Sequence, residues 1–322
     1  MASSTFDIPI ICGPTASGKT AIGIELAERI SGEIISMDSR QIFRRLDIGA
    51  AKATPEEQAR VKHHLIDVAD PGERFTVSDF ARLAGEAVAD IISRGKRPIF
   101  VGGTPFYLSA LIGNFDFCEV DIDQEFRDKL NEEASQIGTD ALHERLREAD
   151  PESADKIHPN DIFRIVRALE ILHLSGKPAS AMRTQSVYRP ATGGNAAGTE
   201  LPGGAAYKVF CLYMPREKLY DRINKRALNM YNIGLTDETR ETIKDFPESR
   251  AFLTKTIGYG EALDLIEGKM TLEEAVEETA KRTRRFAKRQ MTWLRSVEGS
   301  EWIDALAPAG ITTGYLESKG IN

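Results

Sequence analysis

The chain is poor in the features that mark disulfide-rich, metal-binding and membrane proteins. Its 322 residues contain three cysteines, Cys12, Cys118 and Cys211, whose wide separation excludes a zinc motif and a disulfide framework. Such cysteines are typical of small buried side chains in a reducing compartment. No apolar run approaches the roughly 20 residues that span a bilayer. Residues 1–7 also lack a basic segment followed by a long apolar one. We therefore predict a cytoplasmic protein with no membrane span and no secretory signal.

The chain also lacks an overall positive charge. Its formal net charge is −7, which by itself argues weakly against a polyanionic partner. The average hides one basic segment, residues 281–295 (KRTRRFAKRQMTWLR), which contains seven lysines and arginines and no acidic residue. This pattern predicts either a solvated basic helix or a local surface for nucleic acid, on which Phe286 and Trp293 could stack with bases.

The most informative motif is a glycine-rich loop near the start of the chain. The apolar run 8–12 before it predicts a buried strand, and apolar residues at helical spacing after it predict a helix over 20–30. Such a loop directs backbone N–H groups, the helix dipole and the Lys19 ammonium at one volume, while the Thr20 hydroxyl can hold Mg²⁺. The loop fits G-x4-G-K-[ST] at every fixed position and predicts a diphosphate- or nucleotide-binding site at Gly13, Pro14, Thr15, Ala16, Ser17, Gly18, Lys19 and Thr20.

Alternating apolar runs and helical patterns predict an α/β fold. Strands are expected at 8–12, 33–37 and 98–101, with helices over 20–30 and 77–93 between them. This order is typical of right-handed βαβ units, and it predicts a parallel sheet flanked by helices, like that of the P-loop NTPases. Residues 207–213 predict a strand that returns to the sheet.

The middle of the chain has a different pattern. Residues 115–188 predict a mainly helical insertion domain. Residues 189–206 are rich in glycine and alanine and predict a flexible loop. We therefore expect a core built from residues 1–114 and 207–322. Within the insertion, the expected helices are at 124–136, 139–148, 151–156 and 161–175.

Polar or glycine-rich residues follow two further predicted strands. Asp38 and Ser39 follow the strand at 33–37, and Gly102, Gly103 and Thr104 follow the strand at 98–101. Alone, Asp38 fits a helix cap as well as a general base, and paired glycines fit a plain turn. Because the carboxyl ends of parallel strands meet at one edge of a sheet, we expect all of them to converge on the phosphate loop.

Two arginine pairs have open interpretations. Arg164 and Arg167 share one face of a predicted helix, and Arg222 and Arg226 are four residues apart on another. Either pair could bind phosphate groups, or could form ordinary ion pairs on a solvated helix face.

Taken in order, these motifs resemble those of the bacterial tRNA dimethylallyltransferases, also called isopentenyl-tRNA transferases. The resemblance runs from about residue 9 to residue 302. Departures from the family pattern include Phe43 where tyrosine is common and Gly260 where a basic residue is common. The resemblance rests on the phosphate loop, on DSRQIF at 38–43, HHLID at 63–67, GGT at 102–104 with Tyr107, the helix of Arg164 and Arg167, Gly258-Tyr259, and residues 283–295.

This resemblance implies a reaction. A dimethylallyl group would move from dimethylallyl diphosphate to N6 of the adenosine just 3′ of the anticodon in tRNA. The phosphate loop would hold diphosphate as a leaving group, helped by Mg²⁺ at Thr20 and by Arg222 or Arg226. Asp38 matches the family's base, and Thr104 matches the threonine that positions the amine or the diphosphate.

The resemblance also implies contact with the anticodon stem-loop and extrusion of the target base into a channel. We expect the enzyme to be a monomer. The residues that the resemblance places on the tRNA are Asp38, Ser39, Arg40, Gln41, Thr104, Phe163, Arg164, Ile165, Val166, Arg167, Lys255, Gly258, Tyr259, Arg282, Arg284, Arg285, Lys288 and Arg289.

Three other functions share part of these features. A small-molecule kinase would share the phosphate loop and the sheet, but it gives no reason for the basic segment 281–295. An adenylate isopentenyltransferase, with free AMP or ATP as acceptor, would share Asp38 but needs no extended RNA surface. An RNA-binding module that only holds nucleotide would not need Asp38 and Thr104 beside the loop.

Overall fold

A computed structural model describes residues 7–113, 120–182 and 206–321, so Cys118 and nearly all of the loop expected at 189–206 lie outside the described residues. The strands of the described residues are β1 (Ile8–Cys12), β2 (Gly32–Met37), β3 (His63–His64), β4 (Arg97–Gly102), β5 (Tyr207–Tyr213) and β6 (Glu301–Asp304). They form one six-stranded sheet in the order β3-β2-β4-β1-β5-β6, and every neighbouring pair is parallel.

Helices connect the strands and are the only regular elements between residues 120 and 182. A short 3₁₀ turn at Pro247–Ser249 interrupts the helices of the C-terminal part. The helices are α1 (Lys19–Arg29), α2 (Pro55–Arg60), α3 (Val77–Ser93), α4 (Pro105–Leu111), α5 (Gln124–Ile137), α6 (Thr139–Ala149), α7 (Pro151–Lys156), α8 (Ile162–Ser175), α9 (Ala179–Met182), α10 (Arg216–Asn232), α11 (Leu235–Asp245), α12 (Arg250–Lys255), α13 (Tyr259–Ile266), α14 (Leu272–Leu294) and α15 (Ala309–Ser318).

The central strands are buried on both faces because helices cover each side of the sheet. All five residues of β1 are buried, and successive side chains enter different cores. Ile10 packs in a cluster with α3 and α4, whereas Ile11 packs in a cluster with α1, α10 and α15. Continuous apolar strands of this kind are typical of parallel sheets, since neither face meets water. Because helices cover both faces of the sheet, the carboxyl ends of the strands are the place where a ligand is expected to bind.

The chain divides into two compact units. One contains residues 1–113 and 189–322, and the other contains residues 114–188. The second unit is helical and has its own core, in which Leu130 of α5, Leu146 of α6 and Ile165 of α8 are buried. Asp123 and Asp161 begin α5 and α8 by accepting hydrogen bonds from backbone N–H groups of the first turn, as N-cap residues do.

The predicted α/β fold with a parallel P-loop-type sheet is confirmed. The strands expected at 8–12 and 207–213 and the helix expected at 77–93 have the observed bounds of β1, β5 and α3. The strand expected at 33–37 begins one residue late, and the strand expected at 98–101 is one residue short at each end. The sequence did not predict β3 and β6, which are the two edge strands. Both are short and lack an alternating apolar pattern. None of the described helices is long and apolar enough to cross a membrane.

Candidate functional site

The phosphate loop lies between β1 and α1 and has a conformation that its glycines permit. Gly18 has a φ of 93° at the N-terminus of α1, a region in which a side chain is strained. A Cβ on Gly13 would lie 3.0 Å from both the Leu212 Cβ and the Ser17 Oγ, so a side chain at this position would force its neighbours to shift. The Ser17 hydroxyl is buried, and it has no hydrogen-bond partner among the described residues. An unpaired buried donor inside the loop fits a site for an anion.

Lys19 closes this loop from inside. Its Nζ donates a hydrogen bond to the Pro14 carbonyl oxygen at 2.8 Å. Burial lowers the pKa of Lys19 to about 8; the nearby Asp38 carboxylate opposes this effect, and the Arg226 guanidinium adds to it. Because burial destabilises the charged form of Lys19, an anion that enters the loop should stabilise this ammonium group.

Asp38 and Thr104 meet at the ends of β2 and β4. The Asp38 Oδ1 accepts the Arg40 N–H at 2.8 Å, and the Thr104 Oγ1 accepts the Ser39 N–H at 3.0 Å. A Cβ on Gly102 would lie 2.1 Å from the Met37 carbonyl oxygen, so the glycine lets β4 approach β2 closely at this point. The carboxyl ends of β1, β2 and β4 converge here because these strands are neighbours in a parallel sheet.

Both arginines of α10 reach the phosphate loop. The Arg226 Nη1 lies 3.5 Å from the Thr15 Oγ1, and the Arg222 Nη1 lies 3.6 Å from the place of a Cβ on Gly18. Arg222 is exposed, whereas Arg226 is half-buried and burial lowers its pKa. The two side chains therefore approach the loop from its solvent side and from its cavity side, respectively.

Two adjoining cavities meet at Asp38. A cavity of about 150 Å³ is lined by the phosphate loop and by the small or apolar residues Ile34, Ala53 and Val101. We call this the loop cavity. A second, of about 450 Å³, is lined by the C-terminal helices, and we call it the outer cavity. The residues that line both are Thr15, Asp38, Ala50, Arg226 and Phe286.

Three basic residues of α14 lie at the outer cavity. Arg282, Arg285 and Arg289 line the outer cavity. The Arg282 guanidinium also pairs with Glu261 and donates to the Lys255 carbonyl oxygen at 3.2 Å. The outer cavity therefore has a wall with several positive charges.

Five further residues expected on the tRNA also belong to the first unit. Arg284 donates to Asn224 at 2.5 Å, and Lys288 is exposed on α14. Ser39 and Arg40 line the outer cavity, while Gln41 lines the loop cavity. Gln41 also donates to the Ala51 carbonyl oxygen at 3.1 Å and so fixes the 50–51 segment of the wall.

The turn before α13 contributes backbone shape and one side chain. Lys255 lines the outer cavity, and Gly258 has a φ of 89°. Tyr259 is fully buried, and its hydroxyl donates to Glu238 at 2.6 Å. Burial raises the pKa of Tyr259 well above its usual value, and the adjacent Glu238 carboxylate adds to this shift. Its side chain therefore supports the wall from within, and a contact between this side chain and RNA would require the wall to open.

The helical unit presents one exposed aromatic side chain and one closed charge cluster. Phe163 is 72% exposed at the start of α8. Ile165 and Val166 are buried in the unit's core, so their side chains do not face solvent. Arg164 pairs with Asp161 at 2.5 Å. Of the α8 residues expected on the tRNA, Phe163 and Arg164 therefore have side chains at the surface.

Arg167 is held inside the same unit. Its guanidinium pairs with the fully buried Glu170 and donates to the Val120 carbonyl oxygen at 3.0 Å. Arg127 also contacts Glu170, with a distance of 2.7 Å. The ordinary ion-pair interpretation of Arg167 fits this geometry, because its donors are already used by the unit itself.

Sequence reasoning missed two residues that shape the site. Gln290 is buried at the phosphate loop and bonds to Thr15 and Gly103. Its signal was a polar residue on the apolar face of α14, in line with the buried Ala287 and Leu294. Glu238 accepts the N–H groups of Asp47, Ile48 and Gly49 and so fixes the loop that forms the wall at Gly49 and Ala50. No local pattern distinguished it.

The described residues contain no cluster of three or more histidine, cysteine, aspartate or glutamate side chains that could hold a metal ion. The Thr20 hydroxyl lines the loop cavity together with Asp38. This sparse donor set fits Mg²⁺, which in phosphate sites takes most of its oxygen ligands from the substrate and from water. His63 and His64 serve the fold: the His64 Nε2 lies 2.7 Å from Glu33, and the His63 Nδ1 lies 2.8 Å from the Val61 carbonyl oxygen.

Comparison with known proteins gives a consistent family. The family described as IPP transferase matches residues 41–297, and the family described as isopentenyl transferase matches residues 6–69. The tRNA dimethylallyltransferase of Desulfitobacterium hafniense is 44% identical over 310 residues, which cover 96% of this chain and 94% of that protein. The enzyme of the same name from Acetivibrio thermocellus is 41% identical over 298 residues, with 92% and 91% covered.

Solved structures agree with the sequence comparison. The full-length tRNA isopentenylpyrophosphate transferase of Bacillus halodurans is 36% identical, with a TM-score of 0.67 and coverage of 98% of this chain and 97% of that one. A eukaryotic dimethylallyltransferase solved while acting on tRNA is 26% identical, with a TM-score of 0.78 and coverage of 98% and 78%. With the phosphate loop, the sheet and the two cavities described above, these matches show that the chain belongs to the IPP transferase family, the family of the tRNA dimethylallyltransferases.

Proposed function

We propose that this protein transfers a dimethylallyl group from dimethylallyl diphosphate to N6 of the adenosine 3′-adjacent to the anticodon in tRNA, with release of diphosphate. Membership of the family supports this proposal. The observation that carries it is the pair of cavities that share Asp38 and Arg226. One cavity suits a diphosphate with a small apolar tail, and the other offers a basic wall to RNA.

The loop cavity holds the donor. Backbone N–H groups of the phosphate loop, Lys19 and Arg226 surround the diphosphate, with Arg222 at its outer side. The branched apolar tail lies toward Ile34, Ala53 and Val101. These groups stabilise the negative charge that grows on the diphosphate as the carbon–oxygen bond breaks.

Asp38 receives the acceptor's proton. The lone pair of the adenine N6 forms the new carbon–nitrogen bond, the bonding pair of the old carbon–oxygen bond leaves with the diphosphate, and one N6 proton passes to the Asp38 carboxylate. Thr104 is fixed beside Asp38 through the Ser39 N–H and positions the amine or the diphosphate. The outer cavity admits the extruded base.

The basic wall of the outer cavity holds the RNA backbone. Arg282, Arg285 and Arg289 supply charge there, and Lys255 and Arg40 line the same cavity. On the helical unit, the exposed Phe163 offers a stacking surface for an unpaired base and Arg164 offers a charge.

Mg²⁺ is the metal that we propose for the donor site. Thr20 would hold it through the hydroxyl oxygen, together with oxygens of the diphosphate and water. When bound, the ion neutralises charge on the leaving diphosphate. Cytoplasmic location and a monomeric state stay predictions.

The test is an acceptor competition. Purified protein is incubated with labelled dimethylallyl diphosphate, Mg²⁺, AMP, unmodified tRNA, and in parallel a tRNA with guanosine in place of the target adenosine. We expect label in the adenosine-containing tRNA alone. Label in AMP alone would support an adenylate isopentenyltransferase instead. Phosphate transfer from ATP to a small alcohol, without prenyl transfer, would support a kinase.

A further inference from the structure

One side chain of α14, that of Gln290, connects this helix to the phosphate loop. The Gln290 Oε1 accepts the Thr15 N–H at 2.9 Å, and its Nε2 donates to the Gly103 carbonyl oxygen at 2.7 Å. Thr15 belongs to the phosphate loop, and Gly103 follows the neighbouring strand β4. The two backbone groups therefore hold the side-chain amide at both ends.

This arrangement has a single orientation. An N–H group at one end requires the amide oxygen, and a carbonyl at the other end requires the amide nitrogen, so the amide cannot flip without losing both bonds. Gly103 makes the room: a Cβ there would lie 2.7 Å from the Gln290 Nε2 and 2.7 Å from the Gly13 carbonyl oxygen. Gln290 is only 4% exposed, so its backbone partners have little water to replace it.

The position of the loop depends on this contact. Pro14 already uses its carbonyl oxygen to accept from Lys19 and from the Ser17 N–H. Because Thr15 is bonded to Gln290, both Pro14 and Thr15 are held in place. These bonds hold the loop in one conformation before a ligand arrives, which reduces the cost of ordering it on binding.

We infer that Gln290 is a positioning residue, which fixes the phosphate loop against the end of β4 in the geometry that binds the donor's diphosphate. This inference rests on the proposed function only in naming the donor. It assigns to α14 a second task besides lining the outer cavity. Loss of the contact should weaken diphosphate binding while RNA binding is retained.

The first test removes the contact. In Gln290→Met the side chain keeps its length but cannot make either bond. We expect the Kd of inorganic diphosphate, measured by calorimetry, to rise about 10- to 100-fold, and the KM for the prenyl donor to rise with it. The Kd of an anticodon stem-loop should change less than threefold. The control Thr242→Val removes a buried hydroxyl bond in α11, outside both cavities, and should leave diphosphate binding unchanged.

The second test restores the pattern with a proton. In Gln290→Glu a neutral carboxylic acid has one O–H donor and one carbonyl acceptor, the same pair that glutamine offers. The ionised form would place an oxygen with no proton against the Gly103 carbonyl and a negative charge beside the diphosphate. Because the position is buried, the pKa of this carboxyl group should lie above its ordinary value, so the diphosphate affinity of the variant relative to the wild type should recover as pH falls from about 8 to about 5. Lys19, Asp38, His63 and Arg226 line the same cavity, and Arg289 lies next to Gln290 on α14. Because all of them are present in both proteins, the ratio cancels much of their own titration.

A third measurement uses the wild type alone. The Thr15 amide should exchange slowly with solvent in the absence of ligand, because its proton is held by a buried acceptor. Fast exchange at Thr15, or diphosphate affinities in both variants equal to that of the wild type, would overturn the inference. A parallel loss of RNA binding and thermal stability, with no recovery of Gln290→Glu at low pH, would also overturn it in favour of a purely structural role. If instead the wild type binds diphosphate but transfers no prenyl group to tRNA, the proposed function fails and the role of Gln290 stands.

Discussion

Two charge clusters in this protein have similar composition and different organisation. In the helical unit the Glu170 carboxylate contacts Arg127 at 2.7 Å and Arg167 at 2.5 Å, and it also accepts the Asp123 N–H at 2.8 Å. Its side chain is completely buried. The charges of this cluster are directed at each other. They hold α5 and α8 together.

The cluster at the phosphate loop is arranged around a volume. Burial lowers the pKa of both Lys19 and Arg226, the Asp38 carboxylate opposes this effect at each, and all three side chains line the loop cavity. Each forms a hydrogen bond with a neighbouring loop. Lys19 donates to the Pro14 carbonyl oxygen, Asp38 accepts from the Arg40 N–H, and Arg226 donates to the Thr15 hydroxyl. Charged groups that pair directly with each other stabilise the fold. Charged groups that bond instead to neighbouring loops leave a charged cavity in which a ligand can bind.

The largest effect should follow from Asp38→Ala. Without the carboxylate there is no positioned acceptor for the N6 proton, so kcat should fall roughly 10²- to 10⁴-fold. Steady-state prenyl transfer to tRNA measures this directly. The midpoint of thermal unfolding should change little, because Asp38 is half-buried and its carboxylate accepts one hydrogen bond, from the Arg40 N–H.

A separate binding measurement sharpens the comparison. Removal of the negative charge beside Lys19 and Arg226 should leave the affinity for inorganic diphosphate equal or higher. If Asp38→Ala kept most of its rate, or if it unfolded the protein as an ion-pair deletion would, Asp38 would belong with Glu170 as a structural group.

The matched change in the helical unit is Glu170→Ala. It leaves Arg127 and Arg167 as uncompensated charges at the core, which should lower the free energy of unfolding of this unit by about 3–5 kcal/mol. Hydrogen exchange of residues 124–175 measures the loss. Affinity for inorganic diphosphate should stay at the wild-type value, and a change in that affinity would show that the two clusters are not independent. Glu170→Gln, which keeps the shape and some hydrogen bonds, should lose less stability.

Arg226→Met is expected to give the third effect. The substitution keeps an unbranched side chain but removes a charge that lines both cavities, so kcat/KM for the prenyl donor should fall about 10²-fold. The matched control is Arg127→Met, which removes an arginine of the closed cluster and should lower stability without a change in donor binding. Equal losses of donor binding in the two variants would contradict the distinction drawn here.

The sequence predicted the elements that have strong local patterns. The apolar run at 8–12, the glycine-rich loop and the amphipathic helix at 77–93 each contain their own signal, and parallel-sheet topology then brings Asp38, Thr104 and the loop to one edge. The edge strands β3 and β6 have two and four residues. Their pairing is set by neighbours distant in the chain, so no local pattern marks them.

The sequence did not separate the two clusters. Arg164 and Arg167 formed the same kind of pair as Arg222 and Arg226, because spacing gives a helix face but does not reveal which carboxylate lies opposite it. Glu170 is three residues from Arg167, yet its other partner, Arg127, comes from α5. Gln290 was missed for a related reason: its two partners are separated from it by 187 and 275 positions along the chain.

The smallest predicted effect is a pH dependence of diphosphate binding that only the open cluster should have. In the empty site burial lowers the pKa of Lys19 to about 8, so above that pH an increasing fraction of the side chain is neutral. Bound diphosphate favours the ammonium, so binding above this pH requires uptake of a proton and the Kd should rise roughly tenfold per pH unit. The Lys19→Arg variant stays charged throughout, so the ratio of wild-type to variant Kd isolates Lys19 from the titration of diphosphate itself. Calorimetry from about pH 7 to about pH 9 should show a rising ratio. A flat ratio would mean that Lys19 keeps its proton in the empty loop over this range, and the contrast between the cluster at the phosphate loop and the closed cluster at Glu170 would lose its electrostatic basis.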